Sequence, residues 1–483
     1  MRTDTAIWNC RQPCTVVGAV AMFLAGAVFL QPWSPAPAEP PAAAKTAPAE
    51  PTASFEKGLV PFLRQYCADC HADGSQEGDF AFDRYRNLDQ VKRDRHIWTK
   101  VLKRLKVEAM PPVEAEKPPA RERDRAVKWL EYQLFHVDCS QPQDPGRVTV
   151  RRLNRTEYNN TIRDLLGVFY DPAANFPADD TGHGFDNIGD VLTVPPLLME
   201  KYLEAAEDIA RRAVWLRRPL PKADVKPLDA ARANLKRFLP RAFRREVPDD
   251  ECDRYVELVK RALERGDSFE KAMSLALQAV LVSPHFLFRV EGGRRLEAGV
   301  ESLDDYALAS RLSYFLWSTM PDDELFKLAQ QKRLHDPAVL KAQTLRLLKD
   351  QFADTLAVNF AGQWLGLRGL NDVQPDSSQF PDFDQQLRHD LRKETELFFQ
   401  SVLRSNKSIY ELLTGNYTYL NERLARHYGI DGVKGPDFRR VTLKDGKRTG
   451  LLTQGSILTL TSHPGRTSPV KRGEWVLTNL LGD

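Results

Sequence analysis

Excess charge is scarce in this sequence: 69 Lys and Arg stand against 66 Asp and Glu, leaving a formal charge of +3 over 483 residues. Nucleic acid or anionic lipid as a main partner calls for concentrated basic surface, so the near-neutral balance argues against both. Local pairs such as Arg151-Arg152 and Arg244-Arg245 read as solvated helix faces. Long apolar runs are equally scarce. The one candidate, Val16 to Leu30, is shorter than the roughly 18 residues of a membrane span. Arg2 and Arg11 precede it and Ala36 and Ala38 follow it, which is the layout of a secretory signal with an A-x-A-like cleavage site. An uncleaved N-terminal anchor is the alternative, and would be the chain's tie to a membrane. On either reading the body of the protein is exported, to the periplasm or the cell surface. Residues 34–53, rich in Pro, Ala and Glu, cannot bury enough to fold and read as a semi-rigid linker after the 1–33 signal or anchor.

Cysteine is sparse as well, at six residues. Cys10 and Cys14 precede the apolar run, and Cys139 and Cys252 are isolated, though an oxidising compartment would let them bridge. Cys67 and Cys70 form the one close pair beyond the leader, and no second pair exists to complete a zinc site. Nor does a βαβ pattern surround them, as it would a thioredoxin-like dithiol. What is there is Cys67-Ala68-Asp69-Cys70-His71, the C-x-x-C-H spacing of covalent haem attachment. Thiols three positions apart on a turn can reach two vinyl groups on adjacent porphyrin edges. His71, four residues after Cys67, shares that face and can rise beneath the iron.

The flanks fit. Phe55, Leu59, Phe62, Leu63 and Tyr66 predict an amphipathic helix leading into the motif. A second helix is predicted from about Leu88 to Leu105, with Ile97, Trp98, Val101, Leu102 and Leu105 on its apolar face. A third is predicted from about Ala120 to Phe135, with Val127, Leu130 and Leu134 inward. Between the last two sits Met110-Pro111-Pro112, a stiffened loop from which a thioether can approach the other haem face. His96 is the competing ligand, although a helix histidine without ligand duty is the plainer account. These residues resemble the planctomycete-type cytochrome c domain, a class I-like module, over roughly 54–138. That resemblance implies covalent haem c, His71 and Met110 as axial ligands, and electron transfer.

From Asp144-Pro145-Gly146 onward the text changes character. Asn154 to Gly167 predicts a capped helix, with Glu157 as the reciprocal capping residue. A Gly-rich loop follows, concentrating Asp179, Asp180, Asp186, Asn187 and Asp190. Calcium is one reading of these oxygens, an acid/base pair a second, and an acidic turn with Asx capping the plainest. Helices are predicted over 197–214, 229–238, 249–264, 269–281, 303–316, 338–348, 352–365, 383–403 and 421–427. Strand signals are few, at 417–420 and 439–443. His285 reads as a helix-start core residue, and Met320-Pro321 has no second haem motif to serve. Ser456, Ser462, His463, Arg466 and Ser468 make a polar cluster without a nucleophile elbow. The expectation is a mainly α chain: a small three-helix class I-like cytochrome c domain, then multi-helix domains over 146–220, 227–295, 300–430 and 437–483 with few short strands.

This part resembles the domains of unknown function that accompany the same cytochrome module. The residues that carry the likeness are 151–166, the Phe185-Asp-Asn-Ile-Gly-Asp190 loop, Ser283-Pro-His-Phe-Leu-Phe-Arg289, Leu312-Ser-Tyr-Phe-Leu-Trp-Ser318 and Arg466-Thr-Ser-Pro-Val-Lys-Arg-Gly473. The resemblance implies a chain that normally runs further, so the C-terminal domain is expected to be incomplete. Three functional readings stand: a monohaem electron carrier working with a redox partner protein, a carbohydrate- or surface-polymer-binding protein whose cytochrome only docks, and a haem-linked enzyme using Asp180 or His463. Electron transfer is favoured over catalysis.

Overall fold

A computed structural model describes residues 54–136, 150–213, 225–291, 293–295, 301–444 and 446–482. The leader, the linker and Cys139, and with it the question of a bridge to Cys252, lie outside these. The chain forms two compact units, residues 1–144 and 145–483. Nearly all of the regular structure is helical, and the strands pair only as short two-stranded antiparallel ribbons.

In the first unit, Val60–Tyr66 leads into a single turn, Ala68–His71, that carries the cysteine motif. The second predicted helix is broken. Leu88–Arg93 and Arg95–Lys106 meet at Asp94, whose φ/ψ of −96°/37° leaves the helical range. Asp94 accepts the Tyr85 hydroxyl at 2.8 Å, a tertiary contact that periodicity cannot reveal. Ala120–Phe135 closes the unit with the predicted bounds. All five residues predicted inward on the leading helix are buried, as are Trp98, Leu102, Leu105, Leu130 and Leu134. Trp98 sits at the centre, with Phe55, Phe80 and Tyr85 edge-on to it at 5.1–5.9 Å.

In the second unit the capping box forms as predicted: Asn154 Oδ1 accepts the Glu157 N–H, Glu157 accepts that of Asn154, and Gly167 closes Arg155–Leu166 at φ 67°. Asp249–Glu264 and Phe269–Leu281 pack against each other and against their neighbours Pro227–Phe243 and Pro196–Arg212. The predicted 229–238 helix runs on to Phe243 through Pro240, since one lost N–H in the last turns does not outweigh burial of Leu239, Ala242 and Phe243. The predicted 352–365 helix is instead three pieces: a 3₁₀ turn, the wide turn Leu356–Ala361 and Gly362–Trp364. Tyr417–Leu420 pairs antiparallel with Arg439–Thr442. No helix among the described residues is long and apolar enough to cross a membrane.

Three further expectations are corrected. Arg152 and Arg244 are buried, not solvated helix faces. Arg152 reaches the Thr193 carbonyl at 2.7 Å and Asp179 at 2.7 Å. Arg244, in a left-handed conformation at a helix end, donates to the carbonyls of Ala242, His285, Phe286 and Phe288 at 2.8–3.2 Å. Guanidinium donors replace water for loop carbonyls here, a demand invisible in local sequence. His285 starts a helical turn as expected but is exposed, lying against Phe243 with Nε2 3.6 Å from Glu251.

Candidate functional site

Cys67 closes the Val60–Tyr66 helix, and its carbonyl accepts the His71 N–H at 3.0 Å, so one turn holds all three motif side chains. Both thiols are free; Cys67 is half-buried and Cys70 exposed. Burial, with Cys70 adding to it, pushes the Cys67 thiol up to about 11. A redox dithiol needs the opposite shift, because the thiolate is the reactive form. His71 Nδ1 lies 3.0 Å from the Phe80 carbonyl oxygen. A carbonyl only accepts, so Nδ1 carries the proton and Nε2 keeps its lone pair for a metal. Met110 is 40 % exposed on its loop, beside buried Pro111. His96 is exposed on Arg95–Lys106.

In the second unit the acidic loop is bound up in ion pairs. Asp179 bonds Arg152 and the Arg155 N–H. Asp186 accepts from Asn154 at 2.9 Å and Arg368 at 2.6 Å, while Asp180 and Asp190 face solvent. Among the described residues no group of three or more His, Cys, Asp or Glu is arranged to hold a metal ion, so calcium finds no support in this geometry. Ser456 is buried and bonded to Thr395, Ser468 caps Pro469–Trp475, and Ser462-His463 pairs with Arg466-Thr467 in a two-residue ribbon. None of these contacts joins a serine to His463. Met320 belongs to the helical core.

A cavity of about 910 Å³ opens in the second unit, and sequence reasoning did not foresee it. Its wall takes Arg151, Asn154 and Glu157 from the first capped helix and its approach, Phe185 to Gly189 from the acidic loop, Arg289 and Glu291 from 288–291, and Tyr314 and Phe315 from Asp305–Trp317 together with Ser318, which caps that helix. Residue Arg151 pairs with Arg289 across a two-residue ribbon, which brings segments 138 positions apart into one wall. The signal was present but diffuse: four of the five stretches quoted above for their likeness border this one cavity.

Family models match the chain in series: Planctomycete cytochrome C over residues 67–114, then Protein of unknown function DUF1587 over 151–215, DUF1595 over 230–291, DUF1592 over 303–430 and DUF1588 over 448–483. The chain is a planctomycete cytochrome c domain followed by domains of unknown function. No curated protein and no solved structure matches it. The cytochrome c match contains both the Cys67–His71 turn and Met110. It implies haem c as cofactor, and the motif suits that group: two unbridged thiols and an imidazole with one nitrogen committed and the other available. The cavity is built from the DUF1587, DUF1595 and DUF1592 segments jointly.

Proposed function

We propose that this planctomycete cytochrome c domain protein is an exported monohaem electron carrier. Cys67 and Cys70 would hold haem c through thioethers, with His71 and Met110 as the axial ligands, and a redox partner protein would exchange electrons with it. When bound, the group supplies a one-electron iron couple. The chain's own residues set the conditions for it. The contact from His71 Nδ1 to the Phe80 carbonyl carries the reading, because it fixes the tautomer and the ring plane of the proposed ligand. The packed cluster of Trp98, Phe55, Phe80 and Tyr85 behind that ring holds its support rigid. The thioether of Met110 is the softer ligand, and His/Met ligation raises the potential relative to two imidazoles.

The test is a haemochrome spectrum on protein matured with a haem-ligation system, before and after acid-acetone extraction. A c-type spectrum that survives extraction is expected; absence of covalent haem would sink the proposal. Met110→Ala should abolish the Met–iron charge-transfer band and lower the potential, and an unchanged spectrum would reject that ligand. A second reading, in which residues 146–483 bind a surface polymer and the cytochrome only docks, draws its support from the cavity. Haem attachment is the same under both.

A further inference from the structure

The cavity wall holds one guanidinium that its own neighbours leave without a close partner. Glu157 bonds Arg151 at 2.8 Å, Glu291 bonds Arg311 at 2.5 and 2.9 Å, and Asp186 bonds Arg368 at 2.6 Å. Each of these three carboxylates thus has a guanidinium of its own. Arg289 lines the same cavity and has no such close pair. Its side chain is 8 % exposed, yet its closest carboxylate oxygens, on Glu291 and Glu157, stand 3.6 and 3.8 Å away. Its Nε is buried without a hydrogen-bond partner. The Tyr314 ring, 4.7 Å below the guanidinium carbon, supports it from one face without satisfying a single N–H. A buried donor group left unmade is costly, and a charged one more so, so such a group marks where a partner is missing.

The lining itself balances at three carboxylates and three guanidiniums. Asp186 is also neutralised by Arg368 from outside the cavity, so Arg289 is the lining cation left without a close partner, a place that a singly charged anion fills. Glu157 and Glu291 flank the same arginine and would repel a multiply charged group such as phosphate more than a carboxylate. The fork of a guanidinium matches the two oxygens of a carboxylate. Beside this polar wall stand apolar faces open to solvent: Phe315 is 64 % exposed and Phe360 40 %, the latter stacked between Phe185 at 6.0 Å and Trp364 at 5.9 Å. The volume, about 910 Å³, lies at the upper end of the range of small-molecule sites.

We propose that this cavity binds an organic carboxylate, its carboxyl group on Arg289 and its body against Phe315 and Phe360. The same chemistry has two sources, a uronic acid unit of a surface polysaccharide or a free cyclic or aromatic acid. Binding of either goes beyond electron transfer and does not depend on it.

Calorimetric titration of the full haem-loaded chain tests this with four probes: trigalacturonate, its methyl ester, cyclohexanecarboxylate and cyclohexanecarboxamide. At least one acid should bind tenfold or more tighter than its neutral counterpart. Uronate binding alone assigns a polysaccharide source, and binding of cyclohexanecarboxylate a free acid. Arg289→Met should remove that preference, and Phe315→Ala, at an exposed position that leaves folding intact, should weaken the acid several-fold. The proposal is overturned if neither acid binds at millimolar concentration, if the neutral probes bind equally well, or if Phe315→Ala and a folded Arg289→Met both leave affinity unchanged. The haem spectrum should be the same throughout, so failure here leaves the cytochrome assignment standing.

Discussion

Between residues 54 and 136 no charged side chain is buried among the described residues; the interior is aliphatic and aromatic, from Phe55 and Leu59 to Trp98 and Trp129. Between 150 and 482 the interior holds Arg152, Glu157, Asp186, Arg244, Arg289, Arg388, Asp390 and Glu394. The first unit is small, and its chemistry sits at the surface turn of Cys67, Cys70 and His71. It leaves a cofactor to add apolar area that about 85 residues lack. The second has enough apolar core to bear the cost of buried charge, and it spends that charge on tying loops together and lining a cavity. Where charge is buried is therefore where sequence alone is least informative, because a buried arginine and a solvated one are spelled the same way.

The largest effect that tests this contrast is a double substitution, Cys67→Ala with Cys70→Ala. Covalent haem should be lost completely by haemochrome assay, while far-UV circular dichroism keeps the helical signal of residues 146–483. A collapse of both signals would show that the two interiors are not independent.

Next in size is Arg244→Met. It removes the donor from four carbonyls, two of them on the buried residues Ala242 and Phe286. Buried acceptors left unpaired cost about 1–3 kcal/mol each, so a loss of about 3–5 kcal/mol in denaturant unfolding is expected, with no change in haem absorption. A loss under about 1 kcal/mol would mean that water replaces the guanidinium there.

Glu394 gives a pH-dependent form of the same contrast. Burial raises its carboxyl to about 7, against hydrogen bonds from Thr418 and Tyr428, both at 2.5 Å, that pull the other way. The folded state therefore holds the proton more tightly than the unfolded chain. Glu394 destabilises nothing below about pH 4, and stability falls as pH rises from there through about 7. Glu394→Gln should be more stable than the parent at pH 8 by about 3 kcal/mol, with the advantage gone by pH 4. Melting temperatures measured across that range check it; a gap independent of pH would remove the buried proton from the account.

Legibility followed locality. The helix Arg155–Leu166 was readable because Asn154, Glu157 and Gly167 write both ends in adjacent residues. The Tyr417–Leu420 strand was readable from β-branched and aromatic residues between turn signals. The haem motif is five consecutive residues. The break at Asp94, the burial of Arg152 and the wall of the cavity were not readable. Each depends on a partner elsewhere in the chain: Tyr85 for Asp94, Asp179 for Arg152, and for Arg151 the strand partner Arg289.

The smallest effect compares like with like, one asparagine cap in each unit. Asn87 accepts the Gln90 N–H at 3.0 Å in an exposed setting and does nothing else across the fold. Asn154 makes the same kind of cap, but it is buried and its Nδ2 also donates to Asp186, whose other oxygen holds Arg368. An N-cap alone is worth about 1 kcal/mol, so Asn87→Ala should cost about that or less. Asn154→Ala should cost about twice as much, because it also strips a donor from a buried carboxylate. Restoring the cap without the amide, with Asn154→Ser, should recover only the capping share. If Asn154→Ser matched the parent in chemical denaturation, the Asn154–Asp186 bond would contribute nothing. The buried polar network of the second unit would then be held by its arginines alone.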